Sequence, residues 1–463
     1  MNVVILAAGK GTRMKSDLPK VLHRVAGRPM VEHVVQSALA LGAERTVVVV
    51  GHGAELVKRA LSGYAVSFVE QTEQRGTGHA VLQALGAISA TQATLVLYGD
   101  VPLTSLATLR SLIAAASEHT LPVLTVEMAD AAKYGRIVRD ATGQIARIVE
   151  FKDADAEQLK ITETNTGMMV LPAGAPARWL PKLTPNNAQG ELYLTDVVAM
   201  ARAEGMASLP VPAANEAEVE GVNSKVELAR VERFFQAQQA QALMEQGVEL
   251  ADPARFDLRG TLSVGRDVSI DVNCIFEGTV SLADGVRIGA GCVLKDVAVA
   301  AGAVIKAYTV ADGEGKLINV GEGAQIGPFA RLRAGAKLGA QTHIGNFVEV
   351  KNSSFGTGSK ANHLAYVGDS VVGARVNIGA GTITANYDGA HKHVTTIEDD
   401  VHIGSNSVLV APVTIARGGT VGAGSTVTKN TLPDQLTVAR GKQVSLSAWT
   451  RPQKQPKKTT KET

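Results

Sequence analysis

The chain has 463 residues, of which 45% are apolar, 19% are charged and only 4% are aromatic. This length exceeds one ordinary core, so we expect two or three domains, and the apolar fraction excludes wholesale disorder. The 46 basic and 44 acidic side chains leave a net charge of +2. Such a balance gives no bulk field for binding nucleic acid or an acidic membrane.

The two cysteines, without a CxxC pair or a Cys/His cluster, predict neither a disulfide framework nor a zinc site. No apolar stretch approaches the roughly 18 residues of a membrane span. The first residues lack the basic region of a signal peptide. We therefore expect a reducing, cytoplasmic setting, with neither membrane nor nucleic acid as a partner.

The first segment, residues 1–225, alternates short β-branched runs with longer helical patterns. The runs at residues 2–6, 46–50 and 94–98 are continuously apolar, and each is followed by glycine or a turn. Burial on both faces is typical of parallel strands joined by helical crossovers. The pattern predicts a doubly wound α/β domain.

Composition marks a linker and a tail. From Val226 to Gln246 the chain has no glycine or proline and is rich in Ala, Gln and Glu. This predicts a single linking α-helix, for which we assign residues 226–248. The last stretch, residues 451–463, is polar, basic and proline-bearing, which predicts a solvated, disordered tail.

Aliphatic residues recur every six positions within residues 249–450. The main runs are Val264, Ile270, Phe276, Leu282, Ile288 and Leu294, then Val320, Ile326, Leu332, Leu338, Ile344 and Val350, then Ile397, Ile403, Leu409, Ile415, Val421 and Val427. A period of six fits neither a helix nor a two-faced sheet and predicts a parallel β-helix of hexapeptide repeats, with about 18 residues in each triangular coil. Both cysteines occupy a slot for small inward-facing residues, so we interpret them as structural.

The coil register brings two cations together. Arg333 and Lys351 are 18 residues apart, so they would stack on adjacent coils. Facing like charges are destabilising unless something negative lies near them. We infer an anion site, although both side chains could instead splay into water.

Two irregular segments interrupt the repeat. The loop Asn386–Thr395 carries seven extra residues, and once it is allowed for, three small residues line one edge of the prism: Ala380, Ser405 and Ala423. An extended ligand could lie against the backbone there. The spacing also breaks between Val350 and Val372, around His363, which by itself is as consistent with a structural role as with a catalytic one.

The first apolar run leads into a loop suited to phosphate, residues 6–14 followed by Pro19 and Lys20. Glycines let backbone N–H groups approach phosphates, and Arg13 and Lys20 would neutralise them. The spacing matches neither the dinucleotide GxGxxG motif nor a Walker A loop. An ordinary strand-to-helix turn is the alternative. Asp100 follows another strand at its carboxyl end, where open α/β sheets place ligands, or is simply a turn residue.

These motifs resemble those of the sugar-phosphate nucleotidyltransferases, with Ala8–Met14 and Pro19-Lys20 continued by Gln71, Arg75–Ala80 and Tyr98–Leu103. With the hexapeptide half, the chain resembles the bacterial bifunctional family of N-acetylglucosamine-1-phosphate uridylyltransferase and glucosamine-1-phosphate N-acetyltransferase. The resemblance implies acetyl-CoA-dependent N-acetylation of glucosamine 1-phosphate, then uridylyl transfer from UTP. The products would be pyrophosphate and UDP-N-acetylglucosamine, a precursor of peptidoglycan and lipopolysaccharide.

The resemblance implies a role for each matching residue of the first domain. Those that would bind UTP and the sugar product are Leu6, Ala7, Ala8, Gly9, Lys20, Gln71, Gly76, Thr77, Tyr98, Gly99, Asp100, Gly135, Glu150, Asn165 and Asn223. Gln71 with Gly76-Thr77 would read the uracil edge, and the sugar would meet Gly135, Glu150 and Asn165. Arg13 would stabilise the pyrophosphate side and Lys20 would bind phosphate. Asp100 and Asn223 would hold Mg²⁺, which takes few protein oxygens.

The resemblance also implies the acetyl-transfer site. Glucosamine 1-phosphate would contact Arg333, Lys351, Tyr366 and Asn377, and acetyl-CoA would contact Ala380, Asn386, Tyr387, Ser405, Ala423 and Arg440. His363 would be the general base, Asn386 would orient the amine or the base, and the Ala380 N–H would receive the oxyanion. The coils would be left-handed, and the protein would form a homotrimer with acetyl-transfer sites shared between subunits.

Two other readings remain open on the sequence. One is a single-activity sugar-nucleotide pyrophosphorylase whose β-helix serves only for oligomerisation or regulation. The other is a catalytically silent nucleotide sensor, against which Arg13, Lys20 and Asp100 together speak.

Overall fold

A computed structural model describes residues 1–131 and 134–454. Contacts divide the chain into two compact units. The first comprises residues 1–262 and 272–278, and the second comprises residues 263–271 and the chain from residue 279 onward. The domain boundaries drawn from composition stay predictions. Residues 451–454 are exposed and without regular structure, and the rest of the expected tail lies outside the described residues.

The first unit contains a nine-stranded sheet and a two-stranded ribbon. Its strands are β1 (Asn2–Ala7), β2 (Arg24–Val25), β3 (Arg28–Pro29), β4 (Arg45–Val50), β5 (Ser67–Glu70), β6 (Thr94–Tyr98), β7 (Thr120–Glu127), β8 (Gly135–Arg139), β9 (Ile145–Val149), β10 (Glu163–Leu171) and β11 (Ala207–Pro212). Its helices are α1 (Met30–Ala40), α2 (Ala54–Ala60), α3 (Thr77–Gln83), α4 (Leu106–Ala114), α5 (Ala175–Trp179), α6 (Val197–Ala203) and α7 (Lys225–Glu245). Short 3₁₀ turns lie at Thr12–Met14, Lys20–Leu22, Gln158–Lys160, Leu180–Lys182, Leu194–Asp196, Glu216–Val219 and Pro253–Arg255.

The large sheet has the order β11-β7-β10-β6-β1-β4-β5, with β8 and β9 extending from β10. β1 pairs in parallel with both β4 and β6, whereas β10 runs antiparallel to its neighbours. Alternate residues of β1 enter different cores: Val3 and Ile5 pack with residues of α1 and α4, while Val4 and Leu6 pack with residues of α3 and α6. Helices therefore cover both faces, and the prediction of a doubly wound α/β domain is confirmed.

A 21-residue helix, α7, lies where the linking helix is expected. Ser224 caps its first turn by accepting a hydrogen bond from the Glu227 N–H. Val231 is buried in a small core with Met14 and Val222. These contacts make α7 a part of the first unit.

Three strands connect to or run into the second unit: Glu249–Leu250, Phe256–Val264 and Cys274–Leu282. The prism that follows has three parallel faces. The first face consists of Ser269–Ile270, Arg287–Ile288, Val304–Ile305, Gln325–Ile326, His343–Asn346, Lys360–His363, Asn377–Ile378, His402–Ile403, Thr420–Val421 and Leu436–Thr437. The second face consists of Ile318–Val320, Lys337–Leu338, Ser354–Phe355, Ser370–Val372, Thr395–Ile397 and Val413–Ile415. The third face consists of Val310–Asp312, Arg331–Arg333, Glu349–Lys351, Tyr366–Gly368, Ile383–Ala385, Val408–Val410 and Thr426–Val427. Val293–Val299 pairs with both the second and the third face.

The six-residue ladder forms the core of the prism. Every aliphatic residue of the three predicted runs is buried except Val264, which is partly exposed. Both cysteines are also buried, as expected for inward-facing residues. The predicted parallel β-helix is confirmed, and its small inward-facing side chains explain the scarcity of aromatic residues.

The coil length is less uniform than the predicted 18 residues. Ile326 pairs with Ile344, eighteen residues on, but Ile344 pairs with Ala361, seventeen residues on. Ile305 pairs with Ile326 through a 21-residue coil, and Ile378 pairs with Ile403 through a 25-residue coil. The longest coil contains the inserted loop at Asn386–Thr395, as predicted.

The break between Val350 and Val372 comes from two shortened repeats. Phe355 follows Val350 by five residues, and Val372 follows Val367 by five, yet all four side chains are buried. The turns between them absorb the missing residue, and Asn352 and Asp369 there adopt positive φ values of 46° and 48°. The ladder therefore stays in register although the spacing changes.

Replacing a ladder residue should destabilise the second unit far more than replacing an exposed leucine. Leu332 is 1% exposed and Leu317 is 48% exposed. We expect Leu332→Ala to lower the free energy of unfolding by about 2–5 kcal/mol, because it leaves a cavity, and Leu317→Ala to change it by about 0.5 kcal/mol or less. Chemical denaturation followed by circular dichroism measures both. Equal effects would contradict a packed prism.

Candidate active sites

The phosphate loop begins at the carboxyl end of β1 and closes on Lys20. Gly11 has a φ of 58°, and a Cβ added there would lie 2.6 Å from the Lys20 Cβ. Only glycine tolerates both the left-handed backbone and this approach. Ala8 and Gly9 line the adjacent cavity together with Lys20. The structure thus brings the predicted glycine loop and its cation together.

The Lys20 ammonium bridges two other predicted residues. It forms an ion pair with the Asp100 carboxylate, and it donates a hydrogen bond of 3.0 Å to the Asn223 Oδ1. The backbone holds these two oxygens near each other, because the Val222 N–H donates to the Asp100 carbonyl at 2.9 Å. The Lys20 and Asp100 side chains are only 13% and 16% exposed, so the pair is poorly screened by solvent.

Asp100 and Asn223 fit the hard oxygen ligands that Mg²⁺ prefers. One carboxylate and one amide oxygen already share a cation, the Lys20 ammonium, so their oxygens point to one place. Among the described residues, no group of three or more His, Cys, Asp or Glu side chains forms a metal-binding cluster. A cation at Asp100 and Asn223 would therefore need further oxygens from water and phosphate.

Arg13 lies on the 3₁₀ turn after the glycine loop and is exposed. The next residue, Met14, is buried and anchors that turn in the core around Val222. Arg13 faces a cavity of about 750 Å³ that Asp100 and Asn223 also line. Its guanidinium is therefore available to a ligand on the phosphate side of the site.

A second cavity, of about 300 Å³, is lined by Leu6, Ala7, Ala8, Gly9, Lys20, Val21, Gln71, Gln74, Gly76, Thr77, Ala80, Tyr98, Asp100 and Glu191. Gly76 has a φ of 106°, and a Cβ there would lie 2.6 Å from the Leu192 carbonyl. The hydrogen bonds Leu192 N–H to Arg75 O and Gly78 N–H to Leu192 O, both 2.8 Å, fix this segment. The predicted base-reading residues thus line one wall of the cavity that contains the phosphate loop.

The predicted sugar contacts meet on three adjacent strands or strand ends. Gly135 in β8 pairs with Asn165 in β10, and a Cβ at Gly135 would lie 3.4 Å from the Glu150 Oε2. Burial raises the pKa of the Glu150 carboxyl, while the Thr195 hydroxyl, which donates to it at 3.2 Å, opposes that rise. Thr195 thus holds Glu150 in place and favours its charged form.

Tyr98 stands between the two cavities and lines both. Its ring occupies the space that a Cβ at Gly167 would need, since that atom would lie 2.6 Å from the ring. Burial raises the pKa of the Tyr98 hydroxyl, and the nearby Glu150 and Asp100 charges raise it further. Tyr98 therefore stays neutral and lies between the cavity of the predicted base contacts and the larger cavity lined by Arg13.

On the prism, the predicted register of Arg333 and Lys351 is correct. The pairs Arg331–Glu349 and Leu332–Val350 place Arg333 directly beside Lys351 on adjacent coils of the third face. Carboxylates already accompany both cations, however. Arg333 donates to Glu349 at 3.1 Å and lies 3.7 Å from Glu314, and Lys351 lies 4.0 Å from Asp369. The stacked cations alone therefore do not require an external anion.

The inserted loop adds a third cation. Its Tyr387 and Lys392 pair across the loop, and Asp388 accepts bonds from the His391 N–H and the His393 ring. The neighbouring Lys351 side chain lowers the pKa of Lys392, and the Asp369 carboxylate opposes that shift. An anion bound near both lysines would be stabilised by their charges.

Asn386 is buried beside Asp369, the carboxylate that also lies 4.0 Å from Lys351. Its amide donates to the Asp369 carboxylate, which also accepts a bond of 2.6 Å from Asn352. Tyr366 lies beside it, because a Cβ on Gly368 would be 2.3 Å from the Tyr366 hydroxyl and 2.9 Å from the Asn386 amide nitrogen. Within the described residues, Asn386 has no hydrogen bond to His363.

One edge of the prism carries a column of four predicted residues. The Asn406 N–H donates to Ala380 O at 2.7 Å, and the Gly424 N–H donates to Ser405 O at 2.8 Å, which stacks Ala380, Ser405 and Ala423 as predicted. His363 occupies the next rung, since Ala361 pairs with Ile378 on a seventeen-residue coil. The Arg440 guanidinium donates to Ala423 O at 2.7 Å at the other end.

The His363 ring has a defined orientation. Its Nδ1 lies 2.8 Å from the Asn346 Oδ1, and residues 346 and 363 are register partners on the first face. When the Asn346 oxygen faces the ring in this way, Nδ1 carries the proton and the lone pair is on Nε2. An exposed imidazole in this tautomer can act as a general base.

Asn377 is not brought to the other predicted sugar-phosphate residues. It lies on the first face, exposed, whereas Arg333, Lys351 and Tyr366 lie on the third face. The edge that carries His363 and Ala380 separates the two faces. Tyr387 is 62% exposed, and its hydroxyl donates within its own loop to Gly389 O at 2.6 Å.

The two parts of the chain match two known families of transferases. Residues 3–199 match the MobA-like NTP transferase domain. Residues 395–429 match the bacterial transferase hexapeptide of six repeats. The hexapeptide match identifies the prism as a left-handed parallel β-helix, as predicted.

Relatives match over nearly the full length. The chain is 58% identical to the bifunctional protein GlmU of Cupriavidus pinatubonensis over 99% of its own length and 100% of that protein. It is 56% identical to the bifunctional protein GlmU of Nitrosospira multiformis, over 99% of each chain. The chain belongs to the GlmU family. It also aligns with a UDP-glucose pyrophosphorylase complexed with UDP-glucose at a TM-score of 0.42 and 20% identity, covering 51% of this chain and 98% of that one.

Membership of the GlmU family confirms the family and the two activities that the sequence predicts. The chain is a bifunctional transferase, with a nucleotidyltransferase domain followed by a hexapeptide acetyltransferase domain, and it acts on small-molecule substrates. The single-activity and sensor readings are therefore set aside. In the part of the chain that the structure describes, no helix is both long and apolar enough to cross a bilayer.

The structure of this GlmU-family chain adds residues that the sequence analysis missed. They are Asn346, Asp369, Lys392 and Thr195. Asn346 and Asp369 would have been found from the register if the coils had been counted as seventeen residues. Lys392 lies in the inserted loop and Thr195 in a 3₁₀ turn, so no repeat or motif pointed to either.

Proposed function

We propose that the chain N-acetylates glucosamine 1-phosphate with acetyl-CoA in its second unit and then converts the product and UTP to UDP-N-acetylglucosamine in its first unit. The observation that supports this best is that each unit holds a chemically different polar site. The first has a cation-rich phosphate loop beside a pair of oxygen ligands. The second has an oriented imidazole on a column of small residues.

In the uridylyl step, a phosphate oxygen of the sugar phosphate attacks the α-phosphorus of UTP, and the bond to the β-phosphate oxygen breaks to release pyrophosphate. Such a transfer depends on positioning and on charge neutralisation. Arg13 lines the side of the site where pyrophosphate would leave, and Lys20 would bind phosphate. Asp100 and Asn223 would hold Mg²⁺, which when bound neutralises the phosphate charge.

The base and the sugar would bind on opposite sides of Tyr98. Uracil would meet Gln71, Gly76 and Thr77, beside the backbone of residues 6–9. The N-acetyl sugar would meet Gly135, Asn165 and the charged Glu150 carboxylate, which can accept a hydrogen bond from the acetamido N–H.

In the acetyl step, the His363 Nε2 takes a proton from the ammonium of glucosamine 1-phosphate, and the free amine attacks the thioester carbon. The C–S bond then breaks, and the second proton lost by the nitrogen passes to the departing thiolate, which leaves as coenzyme A. Acetyl-CoA would extend along the column Ala380, Ser405 and Ala423 towards Arg440, with Tyr387 beside it, and the Ala380 N–H would receive the oxyanion. The phosphate would bind Arg333, Lys351 and Tyr366, while Asn386 would orient the amine.

We further propose a homotrimer whose acetyl sites form between subunits. Asn377 lies on a different face from Arg333, so a single chain does not gather the full set of predicted contacts. Next to the His363 column runs an apolar ridge: Tyr308, Phe329, Phe347 and Leu364. These side chains are 49–62% exposed, and the three rings stack with centroids 5.2 and 5.6 Å apart. A continuous exposed ridge of this kind fits burial against a second copy.

The cytoplasm is the proposed location, because UTP and acetyl-CoA are both cytoplasmic metabolites.

The two activities should separate by mutation. We expect His363→Ala to abolish acetyl transfer while leaving Mg²⁺-dependent uridylyl transfer intact, because the imidazole serves only the second unit. We expect Asp100→Ala to do the reverse. Thiol release from acetyl-CoA and pyrophosphate release from UTP measure the two steps on purified protein. Loss of both activities in either variant, with circular dichroism unchanged, would contradict separate sites.

Removing the Thr195 hydroxyl should shift the pH dependence of sugar binding. The hydroxyl stabilises the charged Glu150, so Thr195→Val should raise the pKa of that carboxyl further. As the pH falls, the carboxylate is then lost earlier, and KM for N-acetylglucosamine 1-phosphate should begin to rise at a higher pH than in the wild type. KM for UTP at each pH is the internal control. A shared shift of both KM values would speak against a sugar contact at Glu150.

Mixing two inactive variants should restore acetyl transfer if sites are shared. Arg333→Ala and Asn377→Ala each remove one face of the site. After the two proteins are unfolded and refolded together, roughly a quarter of the sites in a randomly mixed cyclic trimer would combine both intact faces. Each variant refolded alone is the control. No recovery, in mixed oligomers shown by mass, would place the site within one chain.

A further inference from the structure

His79 lies on α3, directly behind the base-reading glutamine. The Gln71 Nε2 lies 3.1 Å from the Gly76 carbonyl oxygen and 3.0 Å from the His79 Nδ1. The other ring nitrogen of His79 lies 3.1 Å from the Gln83 Nε2, which also lies 3.4 Å from the His79 carbonyl oxygen. Gln71 is only 4% exposed, so its amide has little freedom to exchange these partners for water.

The orientation of the Gln71 amide is fixed by what each partner can do. The Gly76 carbonyl only accepts, so it must face the amide nitrogen and not the oxygen. The second amide hydrogen then points to the His79 Nδ1, which must be unprotonated. A neutral imidazole has one acceptor and one donor, so its Nε2 carries the hydrogen. The Gln83 amide accepts that hydrogen only when its oxygen and nitrogen are exchanged, which gives up the long contact of its nitrogen with the His79 carbonyl.

The Gly76 carbonyl itself cannot turn away. The backbone on both sides of it is held by the 2.8 Å hydrogen bonds between Leu192 and residues 75 and 78. A reversed Gln71 amide would therefore place two carbonyl oxygens against each other, with no hydrogen between them. The Gly76 carbonyl and the His79 ring therefore both hold the Gln71 amide in the same orientation.

Both hydrogens of the Gln71 amide are thereby used, which leaves its carbonyl oxygen for a ligand. No donor among the described residues contacts that oxygen, and Gln71 lines the cavity assigned to the base. Uracil presents an N3–H donor at its pairing edge, whereas cytosine presents an N3 lone pair. We propose that His79 is a positioning residue that selects uracil over cytosine by locking the Gln71 carbonyl towards the base. This inference rests on the proposed uridylyl transfer and on Gln71 facing the base.

The test compares UTP with CTP as nucleotide donor. His79→Phe keeps the ring but removes both nitrogens, so only the Gly76 carbonyl still holds the Gln71 amide. The reversed amide, which offers N–H to cytosine, then loses one of the two contacts that oppose it. We expect the ratio of kcat/KM for UTP to that for CTP to fall at least about tenfold, mainly because CTP is used better. Gln83→Leu leaves His79 in place but no longer fixes its tautomer, so the ratio should fall in the same direction by less. Pyrophosphate release with N-acetylglucosamine 1-phosphate and Mg²⁺ measures both rates.

His119→Phe is the matched control, since it makes the same replacement at an exposed histidine before β7. Its ratio should equal that of the wild type. If Gln71→Ala lowers the ratio but neither His79→Phe nor Gln83→Leu does, the inference about His79 is wrong while Gln71 still reads the base. If Gln71→Ala leaves the ratio unchanged, the proposed role of Gln71 fails, and the inference fails with it. Should His79→Phe not fold, Gln83→Leu decides the matter alone.

Discussion

Parallel stacking of the coils is the constraint on which the second unit depends. Each rung is hydrogen-bonded to the next, and a buried aliphatic ladder fills the interior, so a coil cannot slip by one residue without turning its apolar side chains outward. Coil length therefore decides which surface residues become neighbours. The column of His363, Ala380, Ser405 and Ala423 exists because coils of 17, 25 and 18 residues all return to the same edge.

The first unit reaches its site by a different constraint, the convergence of parallel strand ends. β1 and β6 are neighbours, so the glycine loop after the one and Asp100 after the other meet at the same edge of the sheet. There the Lys20 ammonium forms an ion pair with Asp100 and donates a hydrogen bond to Asn223. A phosphate bound together with a metal cation would provide new partners for these groups. The phosphate would pair with the Lys20 ammonium and the cation with the Asp100 and Asn223 oxygens, so no buried charge would be left unpaired.

Much of this arrangement could be predicted from the sequence, because local rules govern it. The six-residue period predicts the β-helix, and the apolar runs that end before Gly51 and Gly99 predict the parallel strands. Allowing for the seven extra residues of the inserted loop predicts that Ala380 and Ser405 are stacked, and the structure confirms this. The positions of the two five-residue repeats, after Val350 and after Val367, could not be predicted. The sequence shows only the total spacing, because turns with positive φ make up for the residue that each repeat lacks.

The charges around Arg333 and Lys351 show that stacking along one column does not by itself decide the local charge balance. The stacking of Arg333 on Lys351 suggested an unbalanced pair, yet the same register brings Glu349 beside Arg333 and places Asp369 near Lys351. A further cation near Lys351 is Lys392 of the inserted loop, whose pKa is lowered by Lys351 and raised by Asp369. A phosphate bound near both lysines would be a further partner for their charges. The inserted loop therefore adds a positive charge that the regular repeat does not provide.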